Sequence, residues 1–335
     1  MSIDLSTRYL GMTLRNPLVV SSCPLTGDLE TLRRFADAGA AAAVLPSLFE
    51  EQIELQRHAG AESRHELGND LPEGQLHFRE LREYNAGPDG YLRHLEAAKK
   101  AVSIPIIASL NGVSEGGWIR HAQLMEEAGA DAIELNVYFV AADPRLTADE
   151  IEARYLGVVT AVRDRVRIPL AVKVGPFFSS LANMAQRLVN AGADGLTLFS
   201  RFVQPEIDLD SQRVRPRLVL STSDELRMTL RWIAILRGQL SVSLAATGGI
   251  HFADDVLKAL LVGADVAMLA STLYRRGVDQ LPLLLGAIQY WLEANAFNSV
   301  EQAKGRMSQR QYSDPAAFER AGYMKTVTTF KGELT

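Results

Sequence analysis

Four segments of the chain repeat one corner: DAGAAAAVL from residue 37, EAGADAIEL from 127, NAGADGLTLF from 190 and LVGADVAML from 261. In each, an amphipathic run ends at a glycine (Gly39, Gly129, Gly192, Gly263) and an apolar stretch begins two or three residues later. Glycine tolerates the positive φ that ends a helix, so each corner closes a helix and opens a strand. A second corner alternates with the first. NPLVVSS from 16, IPIIASL from 104, IPLAVKV from 168 and LSVSLAATGG from 240 are short apolar strands that each precede a helical pattern. Together they place eight strands at about 17 to 22, 41 to 46, 105 to 109, 131 to 137, 169 to 174, 195 to 199, 241 to 246 and 265 to 270.

These strands are apolar nearly throughout, as a parallel sheet covered on both faces requires, and most are separated by helical patterns. Eight βα units with regular corners predict an α/β fold, a closed (β/α)8 TIM barrel; an open doubly wound sheet is the alternative. A single domain covers residues 1–335, with the barrel over about 16–296 and a polar helical tail over about 297–335. Long connections follow the second strand (48–88) and the sixth (200–222). Both lie at the C-terminal ends of strands, where barrel active sites are built.

The net charge of -5, with Lys and Arg scattered, provides no basic face for nucleic acid or an anionic membrane. Cys23 is the one cysteine, so no disulfide framework forms within the chain and a reducing compartment fits best. MSIDLSTRYLG lacks the basic start and apolar run of a signal peptide, and no apolar stretch has the length of a membrane span. A cytoplasmic location is expected. The six histidines (His58, His65, His77, His94, His121, His251) show no zinc spacing, so surface placement and no metal are expected.

Three features at strand ends carry chemistry. TGGIHFADDVLKAL, from Thr247, sets two glycines between the seventh strand and a helix, where backbone N–H groups and the helix dipole suit a phosphate. The eighth strand ends in LAST, with the hydroxyls of Ser271 and Thr272 beside that turn. Alone, Gly-Gly is ordinary turn chemistry; at the ends of strands seven and eight it matches the recurrent phosphate position of this architecture. Lys173 lies inside the apolar fifth strand, so its ammonium either reaches solvent at the barrel mouth or meets an anionic partner or an electron-rich ligand. Asn136 ends the fourth strand, as a cap or as a ligand contact, and Ser21, Ser22 and Ser109 end the first and third.

Together these residues resemble the dihydroorotate dehydrogenase family, most closely its soluble class 1. NPLVVSS is similar to the family's first strand, PIIASLNG to its third, DAIELN to its fourth, PLAVKV to its fifth, ADGLTLFSRFVQPEIDL to its sixth with the following loop, and TGGI and LAST to its paired phosphate-binding turns. The resemblance covers about residues 5 to 295. It implies a flavoprotein oxidoreductase of pyrimidine biosynthesis acting on a CH–CH bond, dihydroorotate by default. It also implies FMN contacts from Ser22, Ser109, Asn136, Lys173, Ser200, Thr222, Gly248, Gly249, Ala270 and Ser271, with Lys173 facing the isoalloxazine and the two glycines holding the phosphate.

The resemblance breaks after the fourth strand. The family continues Leu-Asn-x-Ser-Cys-Pro-Asn, the cysteine removing the substrate proton; this chain reads Leu135, Asn136, Val137, Tyr138, Phe139, Val140, Ala141. By alignment Phe139 takes the place of that base and faces the substrate. Loss of a positioned base costs ~10² to 10⁴ in rate. The proton step then falls to Tyr138 or another group; a phenol is a poor base at neutral pH without a nearby cation and a serviceable acid for the reducing direction. Pro46 stands where the family has a lysine, and Asn85, Gly87 and Pro88 echo its Asn-x-x-Gly-Leu-Pro loop with shifted spacing. Catalytic work is therefore expected of Lys173, Asn136 and Tyr138 on a small-molecule substrate; the electron acceptor and assembly as a homodimer are left open. The rival readings are a flavin-free phosphosugar isomerase or lyase barrel and an FMN-binding protein without turnover.

Overall fold

All eight apolar segments form strands, and their pairing closes into a ring. The computed structural model describes residues 3–62, 87–201, 205–315, 319–320 and 322–329. The barrel strands are β1 (Leu18–Val20), β2 (Ala42–Val44), β3 (Ile106–Asn111), β4 (Ala132–Asn136), β5 (Leu170–Val174), β6 (Gly195–Leu198), β7 (Ser243–Thr247) and β8 (Val266–Leu269). Each pairs in parallel with the next, and β8 returns to β1 through Ala267 opposite Leu18, which excludes the open sheet. Helices α1 (Leu29–Asp37), α2 (Gly87–Ala101), α3 (Arg120–Glu127), α4 (Ala148–Arg163), α5 (Leu181–Asn190), α6 (Leu226–Leu236), α7 (Ala253–Val262) and α8 (Gln280–Ala294) follow the strands in turn. At the four repeated corners the glycines take φ between +92° and +118°, a conformation open to glycine at little cost.

Period-two alternation divides the strand residues between two cores. Leu18, Val20, Ile106, Ile133, Leu135, Leu170, Val172, Leu196 and Leu244 pack outward under the helices. Val19, Ala42, Val44, Ile107, Ala132, Ala171, Ala245, Val266 and Met268 fill the barrel together with Tyr9, Leu10 and Leu14. Those last three come from an antiparallel hairpin, Thr7–Tyr9 with Met12–Leu14, that plugs the N-terminal end. Its two-residue turn has Leu10 at φ 50° and Gly11 at φ 74°, the primed geometry that suits the twist of a hairpin. Leu10 bears that conformation because its side chain sinks into the barrel. Gly195 makes room for it: a Cβ there would stand 2.7 Å from Leu10 Cδ2.

The connection after β6 contains a second antiparallel hairpin, Pro205–Asp208 with Arg213–Pro216. The one after β2 opens with a short strand, Leu48–Phe49, and a helix, Glu50–Glu62. Asn85, His65 and His77 lie outside the described residues. The tail expected beyond residue 296 divides in two. Ser299 bridges to Asp4, Val300 and Ala303 are buried, and Lys304 Nζ meets Asp265 Oδ1 at 2.9 Å, so this part seals the barrel's N-terminal side. The helix Gly322–Thr329 is exposed along its length. Among the described residues no helix is long and apolar enough to cross a membrane.

Truncating the plug tests its contribution. Leu10→Ala should lower the unfolding free energy by about 2–5 kcal/mol, because a buried side chain leaves a cavity that the closed barrel cannot collapse. Denaturant unfolding measures it; an unchanged midpoint would mean that the hairpin merely rests on the barrel.

Candidate functional site

At the opposite end, the C-terminal ends of the strands surround a cavity of about 250 Å³. Its floor is the top of the barrel interior. Lys173, on β5, points inward beside Thr197 of β6 and Asn136 of β4, its cross-strand neighbours. One interior layer lower, Glu134 is 1% exposed and places Oε1 3.3 Å from Lys173 Nζ. Its Oε2 accepts from Thr197 Oγ1 at 3.1 Å. Lys173 therefore takes both routes left open by the sequence: it meets an anionic partner, and it lines the cavity with its residual exposure of 9%. At 3.3 Å and an effective dielectric of about 20, the attraction is about 5 kcal/mol. Desolvating each ion costs several kcal/mol, so the pair roughly breaks even, whereas removing one partner alone typically costs about 3–5 kcal/mol.

Asn136 is half-buried in the wall, and Ser200 Oγ donates to its Oδ1 at 2.6 Å. That bond fixes the amide and leaves its N–H donors for a ligand. Ser21 and Ser22 line the same wall at the end of β1. Ser109 lies deeper, fully buried, with its hydroxyl 2.8 Å from that of Ser47, which in turn approaches Ser22 at 3.4 Å. It is thus placed behind the wall rather than in it. Cys23 also lines the cavity, and burial pushes its thiol up, so the group stays protonated.

Gly248, Gly249, Ala270 and Ser271 line the far side. Both glycines have positive φ, 81° and 77°, and their surroundings differ. A Cβ at Gly248 meets nothing within 4 Å, because that position faces the cavity; one at Gly249 would stand 2.6 Å from Leu226 N and 2.8 Å from Thr222 O. Thr222 itself is exposed and caps the next helical turn, while its neighbour Ser221 faces the cavity. The Ser221 hydroxyl accepts from Gly249 N at 3.2 Å and pairs with His251 Nε2 at 3.2 Å. The Ser221 amide donates to Ser271 Oγ at 3.1 Å.

His251 corrects the expectation of surface histidines. It is 3% exposed, its carbonyl accepts from Gln280 and Thr272, and burial, aided by Arg275, holds its ring below the usual histidine range. The imidazole therefore supports the glycine turn in its neutral form. His94 and His121 are half-buried as well. Among the described residues no group of three or more His, Cys, Asp and Glu is placed to hold a metal ion.

The loop after β4 departs from its alignment. Phe139 turns outward onto the helical layer, where the Arg154 guanidinium of α4 covers its ring at 4.5 Å. Tyr138 lines the cavity instead. The expected inward placement of Phe139 is overturned because α4 provides an apolar seat and a cation for the ring. Phe199, Leu218 and Val219 complete an apolar rim with Arg201, whose Nε donates to Glu225 Oε2 at 2.8 Å.

Comparison with known proteins agrees with this architecture. The family model described as dihydroorotate dehydrogenase matches residues 71–290. A protein of Aeropyrum pernix provisionally named dihydroorotate dehydrogenase A (fumarate) is 29% identical over 61% of this chain and 67% of its own length. The dihydroorotate dehydrogenase B (NAD(+)) catalytic subunits of Methanothermobacter thermautotrophicus and Pyrococcus furiosus are 24% and 26% identical, each over 90% of this chain and 97% and 98% of their own lengths.

The two glycines should respond differently to alanine. Gly248→Ala should cost about 1–2 kcal/mol, from positive φ alone. Gly249→Ala should cost more, since backbone atoms of Thr222 and Leu226 must also move. Thermal unfolding of both variants makes the comparison, and equal losses would refute the tight approach at Gly249.

Proposed function

Because the chain belongs to the dihydroorotate dehydrogenase family, we propose that it is an FMN-dependent oxidoreductase acting on a carbon–carbon bond of a small substrate, with dihydroorotate as the reference compound and pyrimidine biosynthesis as its setting. The observation that supports this reading is that one cavity joins the Gly248–Gly249–Ser271 turn to the Lys173 ammonium and the Asn136 amide. A phosphate donor set and a cation at opposite sides of one space suit a ligand with a phosphate at one end and a ring that gathers negative charge at the other.

The residues present fit flavin mononucleotide. Space at Gly248 lies open toward the cavity, and a side chain there would fill it. Gly248, Gly249 and Ser271 would hold the phosphate, and Lys173 would face the pyrimidine edge of the ring. When bound, the flavin supplies a ring that takes up or releases a hydride. Asn136, its carbonyl oxygen held by Ser200, directs amide donors at ring or substrate. Phe199, Leu218 and Val219 shed water from the rim, where the Arg201 guanidinium is already paired with Glu225 through Nε and Nη2. Tyr138, one residue before the position that aligns with the family's base, lines the cavity and is the group there that would carry a proton. As a phenol it donates more readily than it abstracts at neutral pH, so the site favours reduction of an unsaturated substrate over oxidation of dihydroorotate.

The purified protein should be yellow and release one FMN per chain on denaturation, and Gly248→Ala should lower that content. A colourless protein that takes up no added FMN but binds a sugar phosphate would establish the flavin-free barrel instead.

Proton transfer is tested by anaerobic flavin reduction with dihydroorotate in stopped flow. Wild type should bleach at least ~10²-fold more slowly than a site with a positioned base. Tyr138→Cys should raise the rate, and Phe139→Cys should leave it unchanged, since its side chain faces α4. Acceleration by Phe139→Cys would show that this residue, not Tyr138, faces the substrate. A flavin that no CH–CH substrate reduces or reoxidises would leave an FMN-binding protein without turnover.

A further inference from the structure

Glu134 is a carboxylate that the proposed reaction does not use and that no solvent reaches. Its oxygens are committed to Lys173 Nζ and Thr197 Oγ1, and its backbone lies in the ladder between β3 and β5. Below it the barrel is closed by Tyr9, whose fully buried hydroxyl lies next to Thr197 and Glu134. The polar residues thus form a short column along the barrel axis, with the carboxylate underneath and the ammonium on top, at the cavity floor. Its charges nearly cancel at a distance, while a ligand resting on the floor meets the positive end first.

We propose that Glu134 is a positioning residue that sets how strongly Lys173 acts on the bound ring: it holds the ammonium at the floor and offsets part of its charge. This rests on the flavin reading above. A ring becomes more negative when it takes up electrons, so an isolated ammonium beneath it would draw the reduction potential upward. The carboxylate one layer lower opposes that pull and keeps the reduced form less stabilised. A less stabilised reduced flavin gives its electrons more readily to a substrate, in keeping with the reducing direction favoured by the Tyr138 phenol. The residue is thus a specificity element for the direction of electron flow, acting through Lys173 rather than on the substrate.

The test is the midpoint potential of protein-bound FMN, measured by equilibrium dye reduction at neutral pH. Glu134→Gln keeps the shape and removes the charge, and the potential should shift positive. Lys173→Met should shift it negative. The double variant Glu134→Gln/Lys173→Met, which strands no buried charge, should lie between wild type and Lys173→Met and remains informative if a single variant fails to fold. Glu134→Asp retains the charge and should stay closest to wild type. A carboxylate that serves only packing would change unfolding midpoints without ordering the potentials in this way. FMN uptake by both wild type and Glu134→Gln with an unchanged or negative shift overturns the proposal alone. Failure of every protein to take up FMN removes the cofactor reading and this inference with it.

Discussion

Closure of the sheet is the constraint from which the rest of this structure follows. Once β8 pairs back onto β1, every second strand residue is turned into a space of fixed width, which must be filled or left for a ligand. This chain fills the lower part with alanines and the hairpin residues Tyr9 and Leu10, and Gly195 is the position that lets Leu10 in. The upper part stays open. Between the two lie Glu134, Thr197 and Lys173, interior residues with polar ends. The sequence from apolar plug through ion pair to polar mouth is one consequence of strand alternation applied eight times around a ring.

The ion pair is the costliest arrangement in that column. Coulomb attraction at contact distance and the desolvation of two ions are of similar size, so an apolar pair of the same volume would serve stability as well. Its retention points to the cavity above it rather than to the core. The same reasoning covers His251 and Ser221, buried polar groups that hold the Gly248–Gly249 turn in an unusual backbone conformation. Polar groups are spent beneath and behind the cavity, where they orient the few atoms that face it.

Opposite them, the loop after β4 shows how one helix decides which side chain reaches a ligand. Phe139 has a seat under Arg154, and the Tyr155 hydroxyl lies close to the backbone of the same residue. With that residue pinned to α4, its predecessor Tyr138 is the one presented to the cavity. A thiol base and a phenol differ in the direction in which they move a proton most easily. The seat of one ring therefore decides which of two neighbouring side chains the cavity presents to a ligand.

The sequence by itself determined the eight strands, the helix-ending glycines, the two-glycine turn after the seventh strand and the presence of Lys173 and Asn136 at strand ends. These rest on local properties: periodicity, glycine at positive φ, and a charge inside an apolar run. Tertiary structure alone decided the partner of Lys173, because Glu134 is 39 residues away and only the register of β4 against β5 brings them together. It also decided that the hairpin Thr7–Tyr9 and Met12–Leu14 enters the barrel, that His251 is buried, and that Ser109 and Thr222 stand outside the cavity wall while Ser221 lines it. Alternation along β4 put Glu134 and Asn136 on one face in the sequence, but which face is the inside of a barrel is fixed only when the ring closes. Past the last ladder bond of β4 alternation no longer governs, and the direction of Tyr138 and Phe139 was settled by packing against α4, a contact that local sequence does not encode.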